Sequence, residues 1–465
     1  MLADSTQEEA QALRGTLTTK QTALLVIAAA APLGAIVGTL PVALMLGNGA
    51  GVAGTFLIAG LLMICFGIAY SALIRAIPGA GAFYRYLSSV FGSRVGNGAA
   101  WVALASYLAL ATALATTCGY FTDLSLSTIG IHVGWKACAV FFMALVAILG
   151  RSNVDIAAKV LVPLVLAEFG ILLILALATL QHKGLGAFPI EAVQPNHVFT
   201  KGFGVSLMIG LASFIGIESA ALYALEARNP GETIPRATVI AIVMVAIAYF
   251  ASVWTIVGDL GWTAVQALAT KQQGDLVINS FRSNTGELMT GLVSLMICTS
   301  NFACYLALHN AATRYVFTLS NEGSLPAFFA NAHSRHGSPA NASTAVSVLI
   351  LVFIAVPTAI GVDPYVTILP SAIALGTIGI IALQSAVSLS TIVHFARTRD
   401  ARFWVTRIAP VISTIGFFAA AWLITSNYGL FTGSESALVN SLPFVLLFVF
   451  IYGLVFKRGA RKGEV

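Results

Sequence analysis

Residues 202–237 read GFGVSLMIGLASFIGIESAALYALEARNPGETIPRA, and the fold is decided by what this stretch does in its middle. It opens as an apolar helix long enough to enter a bilayer, then breaks its own pattern at Gly216-Ile-Glu-Ser219. A carboxylate inside an apolar span costs about 2.5–3.5 kcal/mol on insertion scales, so it is normally kept where it faces a cavity or a partner. Gly210 and Gly216 ahead of it permit local unwinding, and unwound backbone at membrane depth is tolerated around a site. The plainer alternative is a kinked packing helix that holds one protonated carboxyl at Glu218. The stretch closes with Glu226-Ala-Arg-Asn-Pro230 and Ile234-Pro-Arg-Ala237.

The whole chain shares this character. It is 58% hydrophobic and only 9% charged, where a soluble protein carries about 25% charged residues. A soluble globule is excluded, and the expected fold class is an all-α membrane protein. Apolar runs at 22–45, 51–74, 95–120, 133–150, 154–180, 202–225, 235–257, 287–312, 341–361, 365–394, 405–427 and 438–456 predict about twelve spanning helices.

The net charge of +6 does not point to nucleic acid, because the basic residues flank the apolar runs. With both termini cytoplasmic, 19 of the 24 Lys and Arg fall on the inside; Lys136, Lys183, Lys201, Lys271 and Arg282 fall outside. That asymmetry satisfies the positive-inside rule. The expected location is the plasma membrane, of the bacterial inner-membrane kind. The N-terminus lacks a basic n-region, so the first apolar run reads as part of the mature protein rather than a signal peptide. The 5 cysteines sit in apolar segments without ligand spacing and read as buried small side chains. Neither a metal site nor a cofactor is expected.

The first apolar run is interrupted as well. Ala31-Pro-Leu-Gly-Ala-Ile-Val-Gly-Thr-Leu-Pro41 contains Pro32 and Pro41, which remove backbone donors, and Gly34 and Gly38, which allow close approach. Two interrupted spans in corresponding positions of two five-helix halves are the pointer to an inverted-repeat transporter. The expected organisation is a tail over 1–20, repeats over 21–180 and 202–394, two appended helices over 405–456 and a tail over 457–465. Unwinding is expected near Gly34–Gly38 and Gly216–Ser219.

Phe214-Ile-Gly-Ile-Glu218, then Glu226-x-x-Asn229-Pro230 and Ile234-Pro-Arg-Ala237, together resemble the sixth helix of the amino acid–polyamine–organocation (APC) superfamily of transporters, of the amino acid permease type. Gly34-Ala35-Ile36-Val37-Gly38-Thr39 follows the family's first-helix pattern, with Leu40 and Pro41 in place of its last glycine and neighbour. Residues 77–86, with Pro78, Gly81, Tyr84 and Tyr86, are similar to the family's cytoplasmic loop between helices 2 and 3. Asn321–Pro326 is close to its loop after helix 8. The likeness covers most of 20–395; the last two helices fit by hydropathy alone.

The resemblance implies a substrate site between the breaks, at Gly34, Ala35, Ile36, Gly38 and Thr39 with Ser213, Phe214, Gly216 and Ile217. In the family the first break offers free backbone N–H groups to the substrate's carboxylate. It also implies a proton role for Glu218, since an equivalent glutamate is implicated in proton sensing in the arginine/agmatine exchangers. Those exchangers carry a tryptophan where this chain has Ala212, so a different or bulkier substrate than arginine is expected.

Other polar residues lie inside the spans. Glu168 takes a position where some sodium-independent relatives place a lysine in lieu of a bound cation. A carboxyl at membrane depth can carry a proton, or simply hydrogen-bond a neighbouring helix, and the residues leave both readings open. His309 reads either as a substrate or proton contact or as a satisfied packing residue. The hydroxyls of Ser106, Tyr107, Thr112, Thr116 and Thr117 read as helix glue before substrate contacts. Thr299-Ser300 resembles the cation-ligand pair of sodium-coupled relatives, but counted back from Gly323 it falls several residues too early.

No HExxH, GxSxG, paired Cys/His set or phosphate loop occurs in a convincing setting, so no enzyme and no catalytic residue is expected. The leading expectation is a secondary active transporter of a small amino acid or organic amine, working by alternating access. It would be proton-coupled or exchanging, a monomer or homodimer in the lipid bilayer, and without nucleic acid partners. A sodium-coupled symporter and a membrane receptor or sensor are the alternatives.

Overall fold

The structure is a computed structural model that describes residues 17–78, 81–127, 130–151, 154–224, 227–331, 339–362, 367–432 and 436–456, without the side chains of 154–161, 430 and 431. Gly79, Ala80, Glu226 and most of both terminal tails lie outside the described residues.

Twelve helices follow the apolar runs: α1 (Thr19–Leu46), α2 (Gly49–Ala76), α3 (Ser93–Ser127), α4 (Trp135–Leu149), α5 (Val154–Lys183), α6 (Phe203–Tyr223), α7 (Pro230–Leu260), α8 (Glu287–Asn321), α9 (Ala340–Ala359), α10 (Leu369–Thr398), α11 (Trp404–Ser426) and α12 (Pro443–Val455). Ten are long and apolar enough to cross a membrane, while α4 and α12 are shorter. The chain is therefore an all-α, multi-pass membrane protein. Short surface helices, among them Pro195–Val198, Val265–Gln272 and Leu276–Thr285, fill the two long connections at one end of the bundle.

Burial sorts the helices into layers. In their apolar stretches, 94% of α6 and 83% of α1 are buried, against 28% of α9 and 33% of α11. The outer helices expose large apolar side chains such as Phe141, Ile148, Phe418, Trp422 and Phe448, as lipid-facing surfaces do. Apolar packing gains nothing over lipid, so helices in a bilayer associate where small residues let backbones approach. Here α2 packs on α7 at Gly60 and Gly67, where an added Cβ would meet Ala246 Cβ at 3.1 Å and Ile242 Cδ1 at 2.5 Å. Likewise α10 packs on α3 at Gly376 and Gly379, where an added Cβ would collide with Leu110 and Ser106.

Both central helices are broken, and the first break is not where the glycines suggested. α-Helix ends at Ala30, and Ala31 turns to φ 44°, ψ 67°. Pro32 causes this: a residue ahead of proline is driven out of the α region, and proline brings no N–H to continue the ladder. The Gly34–Gly38 stretch stays helical, widened into a π-turn over Ala35–Thr39 that runs into Pro41. In α6 the α-helix stops at Ala212, Gly216 takes φ 105°, and Ile217–Tyr223 continues as a 3₁₀-helix. This second break falls where the sequence put it, because only Gly adopts such a φ without strain.

Candidate functional site

The breaks touch. A Cβ on Gly216 would lie 2.6 Å from Ala29 Cβ and 3.0 Å from the Ala29 carbonyl. From α7, the Tyr249 hydroxyl sits 2.8 Å from both the Ala30 carbonyl and the Ser213 carbonyl. One phenolic proton thus serves the last carbonyl before each break. Nothing in the sequence of α7 marks Tyr249 for this.

The two mid-span carboxylates sit behind the breaks. Glu218 is fully buried. Its Oε1 accepts the Tyr107 hydroxyl at 2.7 Å, its Oε2 accepts Gln384 Nε2 at 3.3 Å, and both oxygens accept the Gly216 N–H at 3.1 Å. Tyr70 donates to the Glu218 carbonyl at 3.1 Å. Glu218 thereby ties α6 to α2, α3 and α10, and folds its carboxylate back over the turn that Gly216 makes. Glu168 of α5 does similar work for α1: its Oε2 accepts the Leu33 N–H at 3.0 Å. Beside it the Ser300 hydroxyl accepts the Gly34 N–H at 3.2 Å. Ser300 therefore does face the first break, contrary to the register counted back from Gly323.

In front of the breaks lies a cavity of about 270 Å³, walled by α1, α3, α6, α8 and α10. Gly34, Ala35, Gly38, Thr39 and Ser213 line it, as does Ala212. Ile36, Phe214, Gly216, Ile217 and His309 do not. Ile36, Phe214 and Ile217 are wholly buried in packing on other faces. His309 lies one position round the helix from Leu308, which is on the wall; its Nε2 is 2.9 Å from Ser347 Oγ on α9. Of the α3 hydroxyls only Thr117 reaches the wall. Among the described residues Ser106, Thr112, Thr116 and Thr117 each donate to a carbonyl four residues back in α3 rather than to a neighbouring helix, while Tyr107 does join α3 to α6 through Glu218.

The cavity reaches toward the bundle end where Asn48 bonds Val198 and Ser206, with Val42, Phe121 and Leu369 on its wall. Toward the other end the path is filled. Tyr107 stacks on Tyr315 at 5.7 Å and Tyr70 meets Tyr86 edge-on at 5.4 Å, all four at most 1% exposed. The broken helices thus cross beside a cavity that is plugged at one end of the bundle and open toward the other. Among the described residues no group of His, Cys, Asp and Glu is arranged to hold a metal.

Comparison with known proteins agrees with this architecture. The profile of the family described as amino acid permease matches residues 22–462. The aromatic amino acid transport protein AroP of Escherichia coli K12 is 24% identical over 441 residues, 89% of this chain and 89% of its own length. The branched-chain amino acid permease BcaP of Lactococcus lactis subsp. cremoris is 26% identical over 330 residues, 65% of this chain and 68% of its own. The methylthioribose transporter of Bacillus subtilis is 24% identical over 351 residues, covering 72% and 73%.

Proposed function

This chain belongs to the amino acid permease family, and on that premise we propose that it is a proton-coupled secondary transporter of an amino acid, working by alternating access. The observation that carries the reading is the meeting of two broken helices beside a cavity closed at one end only. A site placed so needs only a second arrangement, with the plug opened and the other end shut, to move its occupant across. The relatives' names span aromatic amino acids, branched-chain amino acids and methylthioribose, so they leave the side chain open.

The proton reading rests on Glu168 and Glu218, with Glu168 foremost. Glu168 holds an N–H of the first break directly, so a change in its charge acts on the backbone beside the cavity. The Leu33 and Gly34 N–H groups point at Glu168 and Ser300, an arrangement that suits a carboxyl which gains and loses a proton better than one that holds sodium. Protonation then biases one facing state against the other by differential proton affinity. Uptake into liposomes rises as external pH falls in the wild type and needs no sodium; Glu168→Gln flattens that profile. A sodium requirement, or an unchanged profile in both Glu168→Gln and Glu218→Gln, overturns the coupling.

Both termini are cytoplasmic in this reading, which makes the cavity outward-facing. Single cysteines in a cysteine-free background test it. One placed at 184–198 is modified by an impermeant reagent from outside, and one at 399–403 is not. Equal labelling of the two rules the orientation out.

A further inference from the structure

Resting on the amino acid reading above, we infer that Asn301 of α8 binds the substrate's carboxylate, and that the remaining wall accepts an apolar side chain. The backbone donors from Ala31 to Ala35 and from Ser213 to Ile217 are already used. Ala31 bonds Ala28, Leu33 bonds Glu168, Gly34 bonds Ser300, Ala35 bonds Ala31, and Pro32 has no N–H. Across the second break, Ser213, Phe214, Ile215 and Ile217 bond carbonyls of α6 and Gly216 bonds Glu218. Of the N–H groups expected to meet a substrate carboxylate, those of Gly34 and Ala35 are therefore already committed.

The wall hydroxyls and thiol are committed too. Thr39, Thr117 and Ser213 each donate to a carbonyl of their own helix at 2.8 Å, and Cys304 donates to Ala29 at 2.9 Å. Asn301 is different. It lines the cavity, is 5% exposed, and its side-chain amide makes no hydrogen bond among the described residues. Its Oδ1 stands 2.9 Å from where a Cβ on Gly34 would be, so its amide lies directly against the first break. A buried amide with two donors and an acceptor seldom goes unpaired. Here the cavity's occupant supplies the pairing: the amide donates to the carboxylate, while carbonyl lone pairs at the breaks take the ammonium group.

The rest of the wall is apolar, with Leu110, Leu114, Phe121, Met208, Ile209 and Leu308 prominent. No Asp, Glu, Lys, Arg or His lines the cavity among the described residues. A charged substrate side chain would lose its water there without a partner. The volume of about 270 Å³ falls near the lower end of small-molecule sites, about 300–1,000 Å³, room for one small solute.

The test is a binding comparison on purified full-length protein, using L-leucine, L-phenylalanine, L-lysine, L-glutamate and 3-methylbutylamine, which is leucine without its carboxylate. Wild type binds leucine or phenylalanine at least tenfold more tightly than lysine, glutamate or the amine. Asn301→Ala weakens leucine at least tenfold and leaves the amine unchanged. Asn301→Asp, which sets a negative charge against the carboxylate, inverts the order so that the amine binds better than leucine. Unliganded melting temperatures report whether each variant folds. If wild type binds the amine as tightly as leucine, or Asn301→Ala weakens both equally, Asn301 does not read the carboxylate. Tight lysine or glutamate binding overturns the apolar side chain and leaves the transport reading standing. If wild type binds none of the five, and no other amino acid or amine shifts its melting temperature, the transport reading itself fails.

Discussion

Gly216→Val abolishes substrate binding and transport and lowers the melting temperature by many degrees. At φ 105° a β-branched residue is strained by about 1–3 kcal/mol. Its Cβ also lands 2.6 Å from Ala29 Cβ, and overpacking of that kind costs about 1–3 kcal/mol more. Relief requires the two breaks to move apart, which dismantles the back wall of the cavity. Gly38→Val is the control. Nothing lies within 4 Å of a Cβ built on Gly38, and its φ is ordinary. That variant keeps its melting temperature and loses affinity only through the volume it takes from the cavity. Scanning thermal melts with radiolabelled binding for the pair decides the matter; equal stability of both variants would mean that the breaks do not press on one another.

Glu218→Ala is the most destabilising single change expected in the interior outside the glycines. It leaves the Tyr107 hydroxyl, the Gly216 N–H and the Gln384 amide without their acceptor, and each orphaned buried donor costs about 1–3 kcal/mol. Tyr107→Phe removes one donor and spares the rest, so its cost is about 0.5–1.5 kcal/mol, the net worth of one hydrogen bond. Glu218→Gln falls between, because an amide still accepts on one side but turns an NH₂ toward donors. Melting temperatures in detergent should follow the order wild type, Tyr107→Phe, Glu218→Gln, Glu218→Ala. A Glu218→Ala protein as stable as wild type would reduce the carboxylate to a bystander.

The fold was legible because apolar runs in a bilayer have few options, and all twelve runs became helices. The second break was legible for the same kind of reason, since a mid-span carboxylate beside glycine stands out against an apolar background. The first break was misplaced by three residues because glycines were read as the cause, whereas Pro32 excludes Ala31 from the α region and the glycines then follow a wide helical turn. Side-chain partners were legible only in part. Tyr107 and Gln384 lie 111 and 166 residues from Glu218 in sequence, and no periodicity links them. His309 was assigned to the site on residue type, yet one step of about 100° around α8 separates it from Leu308 on the wall. Asn301 carried no distinguishing signal, because an asparagine on a spanning helix reads equally well as interhelical glue.

Tyr249 has one proton and two carbonyls waiting for it, one from each broken helix. Neither carbonyl is fully served while both are in reach. In the alternating-access cycle proposed above, parting the helices would leave the hydroxyl one carbonyl at full strength, so the enthalpy forfeited would be a fraction of a bond, below the roughly 1 kcal/mol net worth of an intact one. The contact behaves as a clutch, holding the two segments in register at rest and slipping under a small load. Under that proposal, much of the energy of substrate or ion binding would be left for rearranging the tyrosine plug beneath.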